Sequence, residues 1–274
     1  MTFNGDSVAF IGAGVMGEAM IKGLLHQKIL EPTSITAADP RAEHLEALRR
    51  RYGIHTTTDN VAAVTTVDAL VLSVKPQVMG QVLSELSGQV ASIGLIVSIV
   101  AGVELNTIAE SLNNGRVVRS MPNTPGQIGQ GITVWTAAPE VAAAQRQQAQ
   151  TLLGALGEQI YANDESFLDM ATALGGSGPA YVFMFMEALI DAGVHMGFSR
   201  RDAEKLVNQT LLGSILYAQQ SGLHPVQLRN QVTSPGGTTA AALHEMEKGG
   251  LRTVLSEGVW AAYRRSQALG AKSD

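Results

Sequence analysis

Val8-Ala9-Phe10-Ile11-Gly12-Ala13-Gly14-Val15-Met16-Gly17 is the stretch that decides the fold of this 274-residue chain. Four apolar residues suited to a buried strand run into a Gly-x-Gly-x-x-Gly turn, and a helical pattern follows through Leu25. A strand, a glycine-rich turn and a helix in this order open a βαβ unit that binds a dinucleotide. Gly12 suits the tight turn, Gly14 leaves space for a pyrophosphate, and Gly17 lets helix and strand pack closely. We therefore predict cofactor contacts from Gly12, Ala13, Gly14, Val15, Met16 and Gly17.

Strand and helix patterns divide the chain into two parts. Between residue 7 and about residue 160, short β-branched runs alternate with helical patterns, which predicts a parallel sheet covered by helices. After about Asp164 only helical patterns remain. We therefore predict an α/β N-terminal Rossmann domain with a mainly parallel sheet over residues 1–163, and an all-α C-terminal dimerisation domain over residues 164–274. The predicted strands are 7–11, 34–38, 69–74, 95–99, 116–120 and 132–136, and the later helices are 164–174, 179–196, 200–219, a short one after 225, 238–248 and 252–269.

The composition excludes several classes of site and partner. Without cysteine the chain has no disulfide, no thiolate zinc site and no cysteine nucleophile. Its six histidines show no close ligand spacing, so no metal is expected. A net charge of −5 disfavours nucleic-acid binding, which needs clustered Lys and Arg. Because we find neither a signal segment nor an apolar run of about 20 residues, we expect a cytoplasmic protein without a membrane partner.

The predicted helix over residues 179–196 is apolar nearly all round. Its polar stripe consists only of Glu187, Asp191 and His195, at helical spacing. Such a helix needs burial on every side, which a small helical domain achieves most easily by packing against a second subunit. The sequence therefore predicts an obligate homodimer.

The end of the second predicted strand carries two residues that are expected to contact the 2′ position of the cofactor's adenosine ribose. Asp39 suits the ribose hydroxyls of NAD, whereas Arg41 suits the 2′-phosphate of NADP. Because a carboxylate repels a phosphate, the sequence favours NAD or dual use unless Asp39 turns away. Two further strand ends, Ser73-Val74-Lys75-Pro76 and Ala101-Gly102, lie where open α/β sheets bind ligands and are assigned to the cofactor site.

The segment Val232-Thr-Ser-Pro-Gly-Gly-Thr-Thr239 opens a helix near the C-terminus. Glycines let the backbone approach a ligand, and a helix N-terminus offers unpaired N–H groups and a partial positive charge. These features suit a carboxylate. Taken alone, the segment also fits an ordinary loop and helix start.

Several segments together resemble the pyrroline-5-carboxylate reductase family. They are Phe10 to Gly17, Ser73-Val-Lys-Pro-Gln77, Met121-Pro-Asn-Thr-Pro125, Gly176-Ser-Gly-Pro-Ala-Tyr-Val-Phe183, His224-Pro225 and Ser234-Pro-Gly-Gly-Thr-Thr239, in this order along essentially the whole chain. The first is common to many dehydrogenases, whereas the combination of the others is specific. The resemblance implies a dimer often assembled into a decamer. It also implies reduction of 1-pyrroline-5-carboxylate to L-proline by NADPH or NADH, the last step of proline biosynthesis.

The resemblance also assigns individual residues. It makes Thr239 the catalytic hydroxyl near the ring nitrogen, and the backbone of Gly237, Thr238 and Thr239 the receptor of the substrate carboxylate. Asn60 is assigned to the adenosine half of the cofactor. The other substrate contacts that it implies are Glu165, Ser177, Gly178, Gln231, Ser234 and Gly236.

The chain departs from the family pattern at few positions. Gly175 stands where the family usually has serine, and Asp39 replaces a small hydroxyl residue of members that prefer NADPH. Gln231 stands where some relatives have asparagine.

Two other functions fit part of the pattern. A β-hydroxyacid dehydrogenase would carry a lysine on the helix after the interdomain glycine-rich segment, and the helix from Ala180 to Met196 has none. Lys205 and Asn208 form a Lys-x-x-Asn pair one helix later, which is more typical of an exposed helix surface. A non-catalytic NAD(P) sensor would keep the fold, but the glycine-rich turn, Lys75 and Thr239 are all intact.

Overall fold

The computed structural model of the protein describes residues 7–270. These residues divide into two compact units. The first comprises residues 7–177 and 262–270, and the second comprises Gly178–Ala261. The sequence placed the domain boundary after residue 163, whereas by compactness residues 164–177 lie with the first unit.

An eight-stranded sheet in the order β3-β2-β1-β4-β5-β6-β7-β8 forms the centre of the first unit. Neighbouring strands are parallel except for β6 and β7, which are antiparallel. The link between β6 and β7 is shorter than the dozen or so residues that a parallel crossover needs, so the chain turns back directly. The strands are β1 Val8–Ile11, β2 Ile35–Ala38, β3 His55–Thr57, β4 Ala69–Leu72, β5 Leu95–Ser98, β6 Val117–Met121, β7 Gly131–Ala137 and β8 Gly157–Tyr161.

Helices cover both faces of this sheet and bury successive residues of each central strand. Phe10 faces one hydrophobic cluster with Met20 and Leu24, whereas Ile11 faces a second cluster with Met79. Burial on both faces explains why the central strands are apolar without alternation. The helices of this unit are α1 Val15–His26, α2 Ala42–Tyr52, α3 Asn60–Ala63, α4 Pro76–Leu86, α5 Leu105–Leu112, α6 Ala143–Gly154 and α7 Phe167–Ala171, with 3₁₀ turns at Pro32–Ser34 and Thr124–Ile128 and a π-helical turn at Thr172–Gly176.

The predicted fold class is confirmed, with two strands added. The six predicted strands match β1, β2, β4, β5, β6 and β7. The sequence did not predict β3 and β8, which form the two edges of the sheet. Edge strands have fewer apolar side chains to bury, so their pattern is weak: β3 reads His-Thr-Thr, and β8 is largely exposed.

The second unit is entirely helical. It contains α8 Gly178–His195, α9 Arg200–Ser221, α10 Pro225–Gln231, α11 Thr238–Lys248 and the first half of α12 Leu251–Gly270. Helices α8 and α9 approach closely where a Cβ added at Gly193 would lie 3.0 Å from the Cβ of Ala203. Within this unit only Gly193 and Ala203 are buried. A single chain therefore leaves most of this unit's apolar surface uncovered.

The expectation that no apolar run reaches membrane-spanning length was wrong. The helical stretch Phe167–His195 is long and apolar enough to cross a membrane by length and composition. The same property is expected of a helix that packs against another protein subunit, and large side chains such as Phe183 and Met184 are exposed on it.

Candidate functional site

The glycine-rich turn between β1 and α1 has the geometry that the sequence predicted. Gly12 has a φ of +90°, and a Cβ added to it would lie 2.7 Å from the carbonyl oxygen of Ser73. A Cβ at Gly17 would lie 2.6 Å from the carbonyl oxygen of Gly12. At Gly14, by contrast, a Cβ would meet no protein atom within 4 Å. Gly12 and Gly17 are therefore required by packing, whereas Gly14 leaves open space beside the backbone.

This open space belongs to a cleft of about 780 Å³ at the carboxyl ends of β1, β2 and β4. Its size and position suit a dinucleotide, which binds open α/β sheets at this edge. Of the residues predicted to bind cofactor, Gly12, Gly14, Val15, Asp39, Arg41, Asn60, Ser73, Val74 and Lys75 line it. The structure adds Ala38, Pro40, Thr58, Val78, Gln81, Val82 and Glu85.

The other residues predicted to bind cofactor do not line the cleft. Ala13 is fully buried, and Met16 and Gly17 lie within α1. Pro76 is the first residue of α4. Ala101 and Gly102 follow β5, and Gly102 lies beside Leu269 of α12.

Asp39 and Arg41, which favour different cofactors, form an ion pair in the structure. Arg41 donates from Nε to Asp39 Oδ1 at 2.7 Å and from Nη2 to Asp39 Oδ2 at 2.9 Å. Asp39 also accepts from the backbone N–H groups of Arg41 and Ala13, both at 3.1 Å. Burial tends to raise the pKa of Asp39, but these hydrogen bonds and the Arg41 charge outweigh it, so the pKa lies below its usual value.

This ion pair changes the charge that the cleft presents where the ribose 2′ group of the cofactor is expected. The carboxylate of Asp39 is nearly buried and its charge is countered, whereas the side chain of Arg41 is 59% exposed. The carboxylate is therefore turned toward the protein, and the guanidinium keeps a face toward solvent.

Three other cleft residues, Ser73, Asn60 and Lys75, differ in how they are held. The Ser73 hydroxyl donates to the carbonyl of Gly12 at 2.5 Å, so it fixes the turn. Asn60 donates to Glu85 Oε2 at 2.8 Å across the cleft wall. Lys75 is exposed at the start of α4 and makes no ion pair with any residue in the described range. Its ammonium group is available to a phosphate.

Glu165, which the resemblance placed in the substrate site, is held within the first unit. Its Oε1 accepts from Arg119 Nη1 at 2.6 Å and from the backbone N–H of Leu105 at 2.9 Å. Arg119 is nearly buried on β6, and sequence reasoning did not assign it. A charged residue inside the apolar run of β6 was the signal that could have revealed it, because such a residue is rarely buried without a partner.

Asn123 links the Pro-Asn-Thr-Pro motif to Gly175, the residue before the Gly-Ser-Gly-Pro motif. Its Nδ2 donates to the carbonyl of Gly175 at 3.3 Å, and its Oδ1 accepts from the backbone N–H of Ile132. Ser177 closes the π-helical turn by donating its N–H to the carbonyl of Thr172. Turns of this kind often mark functional sites in helices. A Cβ at Gly175 would be 3.7 Å from Ile132, an ordinary contact, so the serine that the family resemblance leads us to expect at this position would fit.

In the second unit, Ser234 to Thr239 forms a tight turn into α11. Gly236 has a φ of +69°, and the N–H of Gly237 donates to the carbonyl of Ser234. No side chain caps α11, and the N–H groups of Thr238, Thr239 and Ala240 have no partner among the described residues. The Thr239 hydroxyl is half-buried and likewise without a described partner. Unpaired donors at a helix start form a site for an anion.

The remaining predicted substrate residues lie at helix ends. Gly178 begins α8, and Gln231 ends α10 with its side chain exposed. Among residues 7–270, no three His, Asp or Glu side chains are grouped so as to hold a metal ion.

Comparison with known proteins decides the family. The chain is 40% identical over 265 residues to the pyrroline-5-carboxylate reductase of Synechocystis sp., covering 97% of this chain and 98% of that relative. The chain belongs to the pyrroline-5-carboxylate reductase family. The solved structure of the Coxiella burnetii pyrroline-5-carboxylate reductase agrees with it at a TM-score of 0.91 and 34% identity, over 98% of this chain and 100% of that one. The Plasmodium falciparum pyrroline carboxylate reductase, solved with NADP bound, has a TM-score of 0.89 and 30% identity, over 99% of this chain and 100% of that one.

Two family profiles match separate parts of the chain. Residues 165–269 match pyrroline-5-carboxylate reductase dimerisation, and residues 7–102 match NADP oxidoreductase, coenzyme F420-dependent. The dimerisation module of a pyrroline-5-carboxylate reductase therefore begins before the second compact unit. It includes Glu165, α7 and the π-helical turn.

Proposed function

We propose that the protein reduces 1-pyrroline-5-carboxylate to L-proline with NADPH or NADH, the last step of proline biosynthesis. The observation that carries this proposal is the set of unpaired donors at the start of α11, in a chain that is similar over its full length to pyrroline-5-carboxylate reductases. The substrate is a cyclic imine with one carboxylate. Its two polar features match the two kinds of donor present here.

The first-turn N–H groups of α11 bind the substrate carboxylate. Gly236 and Gly237 allow the backbone to turn tightly, so that the amides of Thr238 and Thr239 are left without partners in the described chain. An anion at this position is further stabilised by the helix dipole, a contribution of about 0.3–1 kcal/mol at an exposed site. Binding there fixes the ring relative to Thr239.

The Thr239 hydroxyl donates a hydrogen bond to the imine nitrogen. Hydrogen bonding at nitrogen makes the C=N carbon a better hydride acceptor, and the bond strengthens as the C=N electron pair moves to nitrogen. Nitrogen then takes up one proton through the Thr239 hydroxyl, which is reprotonated from water, so that the imine, NADPH and one proton give the amine and NADP⁺. When bound, the reduced nicotinamide supplies the hydride. The polypeptide contributes orientation and the positioned donor, without a cysteine or metal ligand cluster in the described residues.

The cleft in the first unit binds the dinucleotide. The Arg41 guanidinium reaches the 2′-phosphate of NADPH, because Asp39 is turned inward and neutralised. NADH binds without this contact. We therefore propose that NADPH is preferred and NADH is also used.

We also propose a cytoplasmic homodimer, with a decamer as the larger assembly that the family resemblance implies. The exposed apolar side chains of α8 and the match to a dimerisation module support self-association. On this proposal the stretch Phe167–His195 packs against a second copy and not in a membrane. The acidic net charge supports the absence of a nucleic-acid partner.

A steady-state assay of Thr239→Ala tests the proposal. The wild-type enzyme should oxidise NADPH when 1-pyrroline-5-carboxylate is present, and the variant should lose about tenfold to a hundredfold in kcat, the scale of one lost transition-state donor. The neighbouring exposed hydroxyl gives a matched control, since Thr238→Ala should keep kcat within about threefold. Turnover of 3-hydroxyisobutyrate without imine reduction would instead support a β-hydroxyacid dehydrogenase.

A further inference from the structure

Two peptide units in the glycine-rich turn are held by three side chains. The Ser73 hydroxyl donates to the carbonyl of Gly12, and Asp39 accepts from the N–H of Ala13. These contacts hold both polar groups of the Gly12–Ala13 peptide. The third side chain, His44 on α2, approaches the carbonyl oxygen of Ala13 with its Nε2 at 2.6 Å.

The contact with His44 leaves a single polar group of the two peptides unpaired. Because a carbonyl only accepts, Nε2 of His44 carries the proton and donates it. The peptide between Ala13 and Gly14 is planar and trans, so its N–H points opposite to its carbonyl. When His44 holds the carbonyl, the direction of the Gly14 N–H is fixed as well. This N–H has no partner among the described residues, and Gly14 both caps α1 and lines the cleft.

We propose that His44 is a positioning residue for the cofactor pyrophosphate, acting through the peptide between Ala13 and Gly14. The inference rests on the proposed use of the cleft by NADPH. With His44 in place, the Gly14 N–H is oriented as a donor at the N-terminus of α1, where an anion is stabilised. Without it, the peptide is free to rotate, and a carbonyl turned toward the cleft repels phosphate. The ring itself does not line the cleft, so its effect is indirect.

Binding of NADPH in the absence of imine substrate tests this inference. His44→Ala should weaken NADPH binding about threefold to thirtyfold, the scale of one buried or charge-assisted hydrogen bond. In the steady state, KM for NADPH should rise by a similar factor while kcat at saturating NADPH stays within about twofold. His44→Gln keeps an N–H donor at similar reach and should restore binding to within about threefold of wild type. His26→Ala, an exposed histidine at the end of α1, is the matched control and should bind NADPH as wild type does.

Three outcomes would overturn the inference. They are unchanged NADPH affinity in His44→Ala, a fall in kcat at saturating NADPH that exceeds the loss of affinity, and a failure of a folded His44→Gln variant to restore binding. If His44→Ala does not fold, NADPH affinity is compared between His44→Gln, which keeps a donor, and His44→Leu, which has none, provided that the two variants have equal thermal stability. Because affinity for NADPH is measured without the imine, a wild-type protein that binds NADPH but leaves 1-pyrroline-5-carboxylate unchanged would contradict only the proposed function.

Discussion

At the scale of single residues, Asp39 and Arg41 show what a sequence leaves open. The sequence contains one residue that favours NAD and one that favours NADP, and it does not show how the two side chains pair. In the structure, the carboxylate is bound to the protein and the guanidinium is exposed. The lowered pKa of Asp39 means that the pair's contribution to stability is complete above its usual pKa of 3.8. That contribution is lost only as the pH falls through the lowered value.

Replacing Arg41 by alanine should change the preference between cofactors. We expect KM for NADPH to rise about tenfold to a hundredfold, because a charge-assisted contact is lost and the charge of Asp39 is no longer countered by a cation near the 2′-phosphate. KM for NADH should change less than about threefold. Steady-state kinetics with both cofactors measures the difference. Arg49→Ala, at an exposed position of α2, should leave both values unchanged, and an equal effect of Arg41→Ala on both cofactors would contradict the assignment.

Side chains brought together by tertiary packing could not be predicted from the sequence. Arg119 and Glu165 are far apart in the chain and meet at 2.6 Å only because β6 ends beside the segment before α7. His44 carried no local signal, since its partner is a backbone carbonyl in another element. Residues within a local motif were easier to predict. The glycines of the turn act within one strand, turn and helix, and their spacing is therefore visible in the sequence.

At the scale of elements, prediction succeeded where the sequence carries a local signal, either glycines at the ends of a helix or a continuous apolar run. Helix α11 begins and ends at the predicted residues, and the central strands coincide with apolar runs. The edge strands β3 and β8 were missed because a strand that is partly exposed need not be apolar. The antiparallel direction of β7 depends on the length of a link and was not inferred from its apolar pattern.

The turn between β1 and α1 gives a matched pair of substitutions. Gly12→Ala should reduce the free energy of unfolding by about 1–3 kcal/mol, because a positive φ and the nearby Ser73 carbonyl both oppose a Cβ. Gly14→Ala should stay within about 0.5 kcal/mol of wild type, since its Cβ meets no protein atom. That methyl group should instead weaken NADPH binding by about tenfold, as it takes the space of the pyrophosphate. Thermal unfolding and NADPH titration of both variants separate these effects, and a Gly14→Ala protein with normal NADPH affinity would contradict the placement.

At the scale of the whole molecule, the second unit does not bury a hydrophobic core of its own within one chain. Only two of its residues are buried within the chain, and α8 exposes large apolar side chains. A monomer with such a surface would associate or aggregate. The composition of the helix over residues 179–196 was enough to predict a homodimer. Which residues would pack against a second copy depends on contacts that a single chain does not contain.

Introducing a charge on α8 should therefore break the assembly. Phe183 is 61% exposed in the chain, and Phe183→Glu would place an unpaired carboxylate in the proposed interface at a cost of several kcal/mol. We expect light scattering to show a monomer or unfolded aggregate with at least tenfold lower activity. Gln89→Glu adds the same charge to an exposed position of the first unit and should leave the dimer intact. A stable, active wild-type monomer at micromolar concentration would contradict the proposed assembly.

Transfer of isotope from cofactor to product tests the proposed reaction most directly. The enzyme would be given 1-pyrroline-5-carboxylate and NADPH carrying deuterium at either face of nicotinamide C4, and the product would be analysed by mass spectrometry. Hydride transfer to the imine carbon predicts L-proline that contains one deuterium from one of the two labelled cofactors. Unlabelled proline from both cofactors, or cofactor oxidation without proline, would contradict the proposed reduction.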